Sequence, residues 1–121
     1  MPASPYDLKV SFSPLRMRKG DDKPVQMNVI VKNLEADQNL TSVLIEIPGS
    51  VGFDRTGFVN RKELRIGKME PGEEKSITID LFTNAKSEPG SHIVKVTANK
   101  HYRGYSHILE NSKKETTVRI V

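Results

Sequence analysis

Apolar and polar residues alternate with a period of two in seven short segments of this 121-residue chain. Asp7 to Phe12 puts Leu8, Val10 and Phe12 on one face and Lys9 and Ser11 on the other. Pro24 to Asn33 repeats the pattern with Val25, Met27, Val29 and Val31, leaving Ile30 as its one apolar residue out of phase. Thr41 to Ile47 groups Val43, Ile45 and Ile47, and Pro48 then stops the strand because it lacks a ladder N–H. Glu63 to Met69 carries Leu64 and Ile66, and Lys75 to Phe82 sets Ile77, Ile79 and Leu81 opposite Ser76, Thr78 and Asp80. His92 to Asn99 contributes Val94, Val96 and Ala98, and Glu115 to Val121 contributes Val118 and Ile120. Such alternation predicts half-buried strands, and no stretch offers a helix.

The connections carry turn chemistry. Pro48-Gly49, Pro71-Gly72 and Pro89-Gly90 each fall at a strand boundary and match a type II turn, with Pro at i+1 and a positive-φ Gly at i+2. Gly20-Asp21-Asp22 marks another turn, and Leu34 to Leu40 is a polar loop. Seven strands, each apolar on one face, bury those faces most economically as two packed sheets. The expected fold is an immunoglobulin-like antiparallel β-sandwich of about seven strands in two sheets, spanning residues 7–121 behind a short tail, residues 1–6. The first and last strands are the expected sheet edges. Composition agrees: Val and Ile together number 20 against four Ala. The length fits one domain.

The order of short motifs adds a resemblance. Val-Lys-Asn-Leu (31–34), Val-Leu-Ile-Glu-Ile-Pro (43–48), Ile-Gly-Lys-Met-Glu-Pro-Gly-Glu (66–73), Ile-Thr-Ile (77–79) and Pro-Gly-Ser-His-Ile-Val-Lys-Val (89–96) follow one another along the chain. This resembles the CARDB or NEW3 group of immunoglobulin-like modules of archaeal and bacterial proteins, over about Asp7 to Val121. The resemblance rests on turn and strand residues, so it speaks to fold far more than to activity. It implies a non-catalytic spacer or adhesion domain of a longer exported protein. A more distant architectural likeness to major sperm protein and periplasmic chaperone sandwiches implies a binding module.

Candidate chemistry is sparse. The absence of cysteine excludes disulfides, Cys-ligated metals and thiol catalysis. No phosphate loop, nucleophile elbow or His-Glu-x-x-His motif is present. His92 follows Gly90 where such sandwiches place a corner tyrosine, so its imidazole is expected to bond back to the preceding turn as a structural corner. His101 and His107 lie six apart but lack the third ligand a zinc site needs, and Asp21-Asp22 lacks the spacing of a calcium loop. No catalytic residue, metal ligand or cofactor follows. Asn39-Leu40-Thr41 is a glycosylation sequon, relevant only to an exported chain.

Two segments read as interaction surfaces. The segment from His101 to Leu109 holds Tyr102, Arg103, Tyr105 and His107, residue types that supply contact area and donors at interfaces. Its alternative reading is a loop in which Ile108 and Leu109 cover the sandwich end between flanking tyrosines. The stretch from Gly49 to Lys62 carries Val51, Phe53, Phe58 and Val59. Its alternative reading is a crossover with a short edge strand and tucked aromatics.

The net charge is +4. Assigning loops to alternate ends of a seven-strand sandwich gathers the positive excess at one end, from Arg16, Arg18, Lys19, Arg55, Arg61 and Lys62, and a negative excess at the other. The first expectation for function is a non-enzymatic protein-interaction module, with a protein partner or self-association. The second is a surface or adhesion domain. The third is weak polyanion binding through the basic end, although a nucleic acid is not the expected partner, nor is a small-molecule substrate. The longest apolar run is three residues, so neither a signal peptide nor a membrane span is expected. The chain is expected in the cytoplasm if Met1 is the native start and at the cell surface if it is part of a longer exported protein.

Overall fold

The computed structural model describes residues 4–20, 23–54, 56 and 59–121. The turn expected at Asp21-Asp22, and Arg55 and Phe58 among the candidate residues, lie outside them. The described residues form nine strands: β1 (Tyr6–Ser13), β2 (Arg16–Met17), β3 (Val25–Asn33), β4 (Asn39–Glu46), β5 (Val51–Gly52), β6 (Arg61–Met69), β7 (Glu74–Thr83), β8 (Gly90–Tyr102) and β9 (Gly104–Ile120). A four-stranded sheet runs β1-β3-β7-β5 and a five-stranded sheet runs β2-β9-β8-β4-β6. Every pair is antiparallel except β2 with β9. This is the immunoglobulin-like sandwich, with seven long strands matching the seven alternating segments. The two additional strands are two residues each, too short to carry a period. Among the described residues no helix is long and apolar enough to cross a membrane.

The alternating positions form the core. Met27, Val29, Val31, Val43, Ile45, Leu81, Val94, Val96 and Val118 are fully buried between the sheets. Burial of a side chain of this size stabilises by about 1.5–3 kcal/mol, which makes this layer the main favourable term. Ile30, the out-of-phase residue, is only half-buried.

The turns follow their expected chemistry unevenly. Glu73 N–H bonds the Glu70 carbonyl at 3.0 Å, and Gly72 at i+2 has φ 75°, so Pro71-Gly72 is a type II turn. Pro48-Gly49 is different, since Val51 N–H bonds the Pro48 carbonyl at 3.1 Å. Pro48 therefore sits at i and Gly49 at i+1, without a positive φ. The one-residue shift lets the chain enter β5.

The largest departure is β9, which begins at Gly104 where the alternation begins near Glu115. Its first half carries Glu110, Asn111, Ser112, Lys113 and Lys114, with no apolar period. Ser112 and Lys114 instead reach across the open side of the sandwich to the edge strand β1. Ser112 Oγ accepts from Tyr6 N–H at 3.2 Å, and Lys114 Nζ donates to the Leu8 carbonyl at 3.2 Å. Side chains of β9 thus cover exposed backbone groups of the edge strand β1.

One end of the sandwich is tied by a buried amide. Asn33, the last residue of β3, is fully buried. Its Nδ2 donates to the carbonyls of Asp37 (2.9 Å), Met69 (3.1 Å) and Glu70 (3.3 Å). Its Oδ1 accepts from Glu35 N–H (3.0 Å) and Asn39 Nδ2 (3.1 Å). Asn39, the sequon residue, is buried and also donates to Glu35 Oε1 at 2.9 Å. Its amide is therefore committed to the fold. Replacing Asn33 with Ala leaves several buried groups without partners, each costing about 1–3 kcal/mol. Asn33→Ala is expected to destabilise the protein by roughly 3 kcal/mol, read as a lower urea midpoint at unchanged slope.

Candidate functional site

The segment read as an interaction loop is the end of the β8–β9 hairpin. From the pair His101↔Ile108 to the pair Tyr102↔Gly104, β8 advances one residue and β9 four, so Tyr105, Ser106 and His107 bulge from the ladder. Arg103 makes the turn with φ 64°, an uncommon conformation for a side-chain-bearing residue. Tyr102, Ile108 and Leu109 are 49%, 55% and 54% exposed, so Ile108 and Leu109 do not cover the sandwich end. Arg103 Cζ lies 5.0 Å from the Tyr102 ring centroid, and His107 is exposed.

Beneath this surface His101 is buried. Its Nδ1 lies 3.2 Å from the His107 carbonyl and its Nε2 lies 2.6 Å from Ser42 Oγ. A carbonyl only accepts, so Nδ1 carries the proton that it donates to His107. The edge of the Tyr105 ring packs on His101 at 5.0 Å between centroids, and Arg65 from β6 lies over that ring at 4.7 Å. The bulge is thereby pinned to β4 and β6. Lys100, one residue earlier, pairs with Glu35 at 2.7 Å and joins the hairpin to the Asn33 cluster.

A Ser–His pair joined by 2.6 Å invites comparison with an activated nucleophile. Ser42 sits inside β4 at 1% exposure, between paired strands on both sides whose ladders engage the nearby backbone N–H groups. The pair therefore ties β8 to β4 at the base of the hairpin.

His92 stands at the opposite end. Its Nε2 lies 2.8 Å from the Glu88 carbonyl, across Pro89-Gly90, and its Nδ1 lies 2.7 Å from Ser50 Oγ. The imidazole therefore ties the Glu88 carbonyl to Ser50, and Gly90 has φ 138°, well away from the value of about 80° of the type II turn expected at Pro89-Gly90. Nearby, Ser87 Oγ donates to the Ser50 carbonyl at 2.6 Å, and Asn84 Nδ2 to the Gly49 carbonyl at 3.1 Å. These contacts latch the β4–β5 turn to the β7–β8 loop. Val51 is fully buried, Phe53 is half-buried under Lys62 at 5.8 Å, and Val59 is exposed.

The basic residues divide. Arg16, Arg18 and Lys19 lie on and after β2, whereas Arg61 and Lys62 lie on β6. Both groups occupy the half of the five-stranded sheet away from the β8–β9 turn, but β2 and β6 are its two edges. Four strand spacings separate them by about 19 Å, more than twice the Debye length of about 8 Å at physiological salt. Toward the other end Glu35 is paired with Lys100, and Glu73 with Lys75 at 2.9 Å.

No protein-family model matches the chain, and no curated protein matches it. Solved structures do. A CARDB domain from Pyrococcus furiosus, solved with di-metal ions, is 20% identical with TM-score 0.57, and the match covers 100% of this chain and 95% of that one. The alkylpurine DNA glycosylase AlkC of Pseudomonas fluorescens, bound to DNA, matches at 13% identity and TM-score 0.60, over 97% of this chain but 30% of the glycosylase. An ASH/PapD-like domain of human CEP192 matches at 11% identity and TM-score 0.55, over 100% of this chain and 88% of that one. At these identities the likeness is one of fold, and the fold is CARDB-like.

The Glu35 brace has a pH signature. Hydrogen bonds from Lys100 and then Asn39 hold the Glu35 carboxyl below the usual carboxylate range. A depressed folded-state pKa contributes stability that is present above the unfolded value of about 4.3 and is lost as pH falls through the folded value. Glu35→Gln is expected to lower stability by about 1 kcal/mol at neutral pH. The gap from wild type should close in acid, measured by denaturation along a pH series.

Proposed function

We propose that the chain is a non-enzymatic protein-interaction module that engages a protein partner through the end of its β8–β9 hairpin. The observation that carries this reading is the exposure of Tyr102, Ile108 and Leu109 directly over a base pinned by His101–Ser42 and Glu35–Lys100. Large apolar and aromatic side chains beside Arg103 match the composition of interface centres. A braced base lowers the ordering cost of binding. The cover that β9 side chains give β1 argues against self-association through that edge, and we take the partner to be a different protein.

The likeness to a nearly whole CARDB domain supports a second setting for the same module, as a spacer or adhesion domain of a longer exported protein. Recovery of the native protein in an envelope fraction would support that setting, and strict recovery in the soluble extract would count against it. The metal ions of the Pyrococcus domain do not enter the reading, because no group of three His, Asp or Glu among the described residues is placed to hold an ion. The basic residues, split between two edges, offer a polyanion no single patch.

Affinity capture from the native extract tests the proposal. Tyr102→Ala combined with Leu109→Ser is expected to lose the specifically captured protein while retaining the wild-type melting temperature. Ile93→Ser, an exposed site on the same sheet away from the hairpin, should retain it. Capture unchanged by the hairpin variant would overturn the assignment. Light scattering at micromolar concentration is expected to show a monomer.

A further inference from the structure

The outer face of the five-stranded sheet carries a depression. Its central strands present Ser42, Leu44 and Glu46 from β4 and Thr97, Asn99 and His101 from β8, with the small Ser42, Thr97 and Asn99 lowest among them. The flanking strands present longer ones, Arg61 and Glu63 from β6 and Asn111 and Lys113 from β9. Short residues between long ones make a trough, which Tyr105 and Ile108 close at the hairpin end, and its volume is about 270 Å³.

The floor has unused hydrogen-bonding capacity. Thr97 and Asn99 are 8% and 7% exposed. Asn99 Nδ2 makes a long contact of 3.5 Å to Ser42 Oγ, while among the described residues its Oδ1 and the Thr97 hydroxyl have no protein partner. No sealed polar side-chain atom among those residues lacks a partner, so these two groups open into the trough. Nearly buried polar groups left open in this way need water or a ligand to satisfy them.

We propose that this trough binds a neutral, hydroxyl-rich ligand, a short carbohydrate. Arg61 and Lys113 are matched in charge by Glu46 and Glu63 along the lining, so nothing selects an ion of either sign. Donors on Arg61, Lys113 and Asn111 stand beside acceptors on Asn99, Glu46 and Glu63. A sugar hydroxyl donates and accepts at once and satisfies both kinds. Leu44 and the Tyr105 ring offer apolar surface for the C–H face of a sugar ring. The volume, just below that of drug-sized pockets, holds roughly one or two such rings. A protein partner fits this face poorly, since Ser, Lys and Glu are depleted from interface centres. An extended peptide would need an open strand edge for its backbone.

The test is a 15N–1H NMR titration with glucose, galactose, mannose, N-acetylglucosamine, maltose and cellobiose. At least one sugar is expected to shift the Thr97, Asn99 and Asn111 amides saturably, with a Kd on the order of 1 mM or tighter. Thr97→Val, which is isosteric, and Lys113→Ala should each weaken that binding about fivefold without changing the melting temperature. The hairpin variant Tyr102→Ala should bind the sugar normally, which separates failure of this assignment from failure of the protein-partner reading. The proposal is overturned if no sugar gives saturable shifts at about ten times that concentration. It is equally overturned if both variants bind as the wild type does, or if inorganic phosphate saturates the trough in place of every sugar.

Discussion

A buried Asn33 amide organises the end of the sandwich on which the hairpin depends. The β-branched core holds the two sheets face to face but is indifferent to how the loops at their ends are arranged, because hydrophobic burial is non-directional. Asn33 supplies the direction. Its five hydrogen bonds hold the loop after β3, the first residue of β4 and the β6–β7 turn in one arrangement. The chain of bonds continues through Asn39 and Glu35 to Lys100, on β8 one residue before His101. The posture of the hairpin is thus set by polar contacts that begin across the sandwich, on the other sheet.

The parts of this architecture that were legible in sequence are those governed by a period. Met27, Val29 and Val31 could be placed in the core because a half-buried strand must alternate, and they are fully buried. The first half of β9 carries no such signal, since its inward residues Ser112 and Lys114 satisfy backbone groups of β1 and bury no apolar surface. A polar sequence that forms a strand by pairing to β8 looks like a loop until the partner strand is known. The turn at Pro48-Gly49 differs from its expected position by one residue for a related reason: the dipeptide is compatible with two positions in a turn, and burial of Val51 in β5 decides between them.

The candidate sites were legible in a different degree. Tyr102, Arg103 and Tyr105 stood out by residue type, and the structure adds that Tyr102 is exposed while Tyr105 is turned inward against His101. Ser42 and Asn99 carry no signal in the sequence, because Ser and Asn on a strand's polar phase look like solvated surface. Their significance depends on β6 and β9 rising on either side of them, a relation between strands far apart in sequence. For the same reason the six basic residues could be assigned to one end but not to one patch, since loop order fixes the end whereas strand order within the sheet fixes the edge.

Edge management ties these observations together. A sandwich with two open sheets has four edges that invite unwanted pairing. On one side Ser112 and Lys114 of β9 occupy backbone groups of β1. On the other side β6 is open, and it carries Arg61, Lys62, Glu63, Arg65 and Lys68 within nine residues. That density of charge keeps the strand in water and disfavours a further strand docking beside it. Two of these side chains, Arg61 and Glu63, form one wall of the trough, and Arg65 stacks on Tyr105. A single row of residues therefore protects the edge, walls the trough and supports the hairpin. Neutralising that row would expose the edge to strand pairing and would also flatten the trough and remove the guanidinium that holds Tyr105.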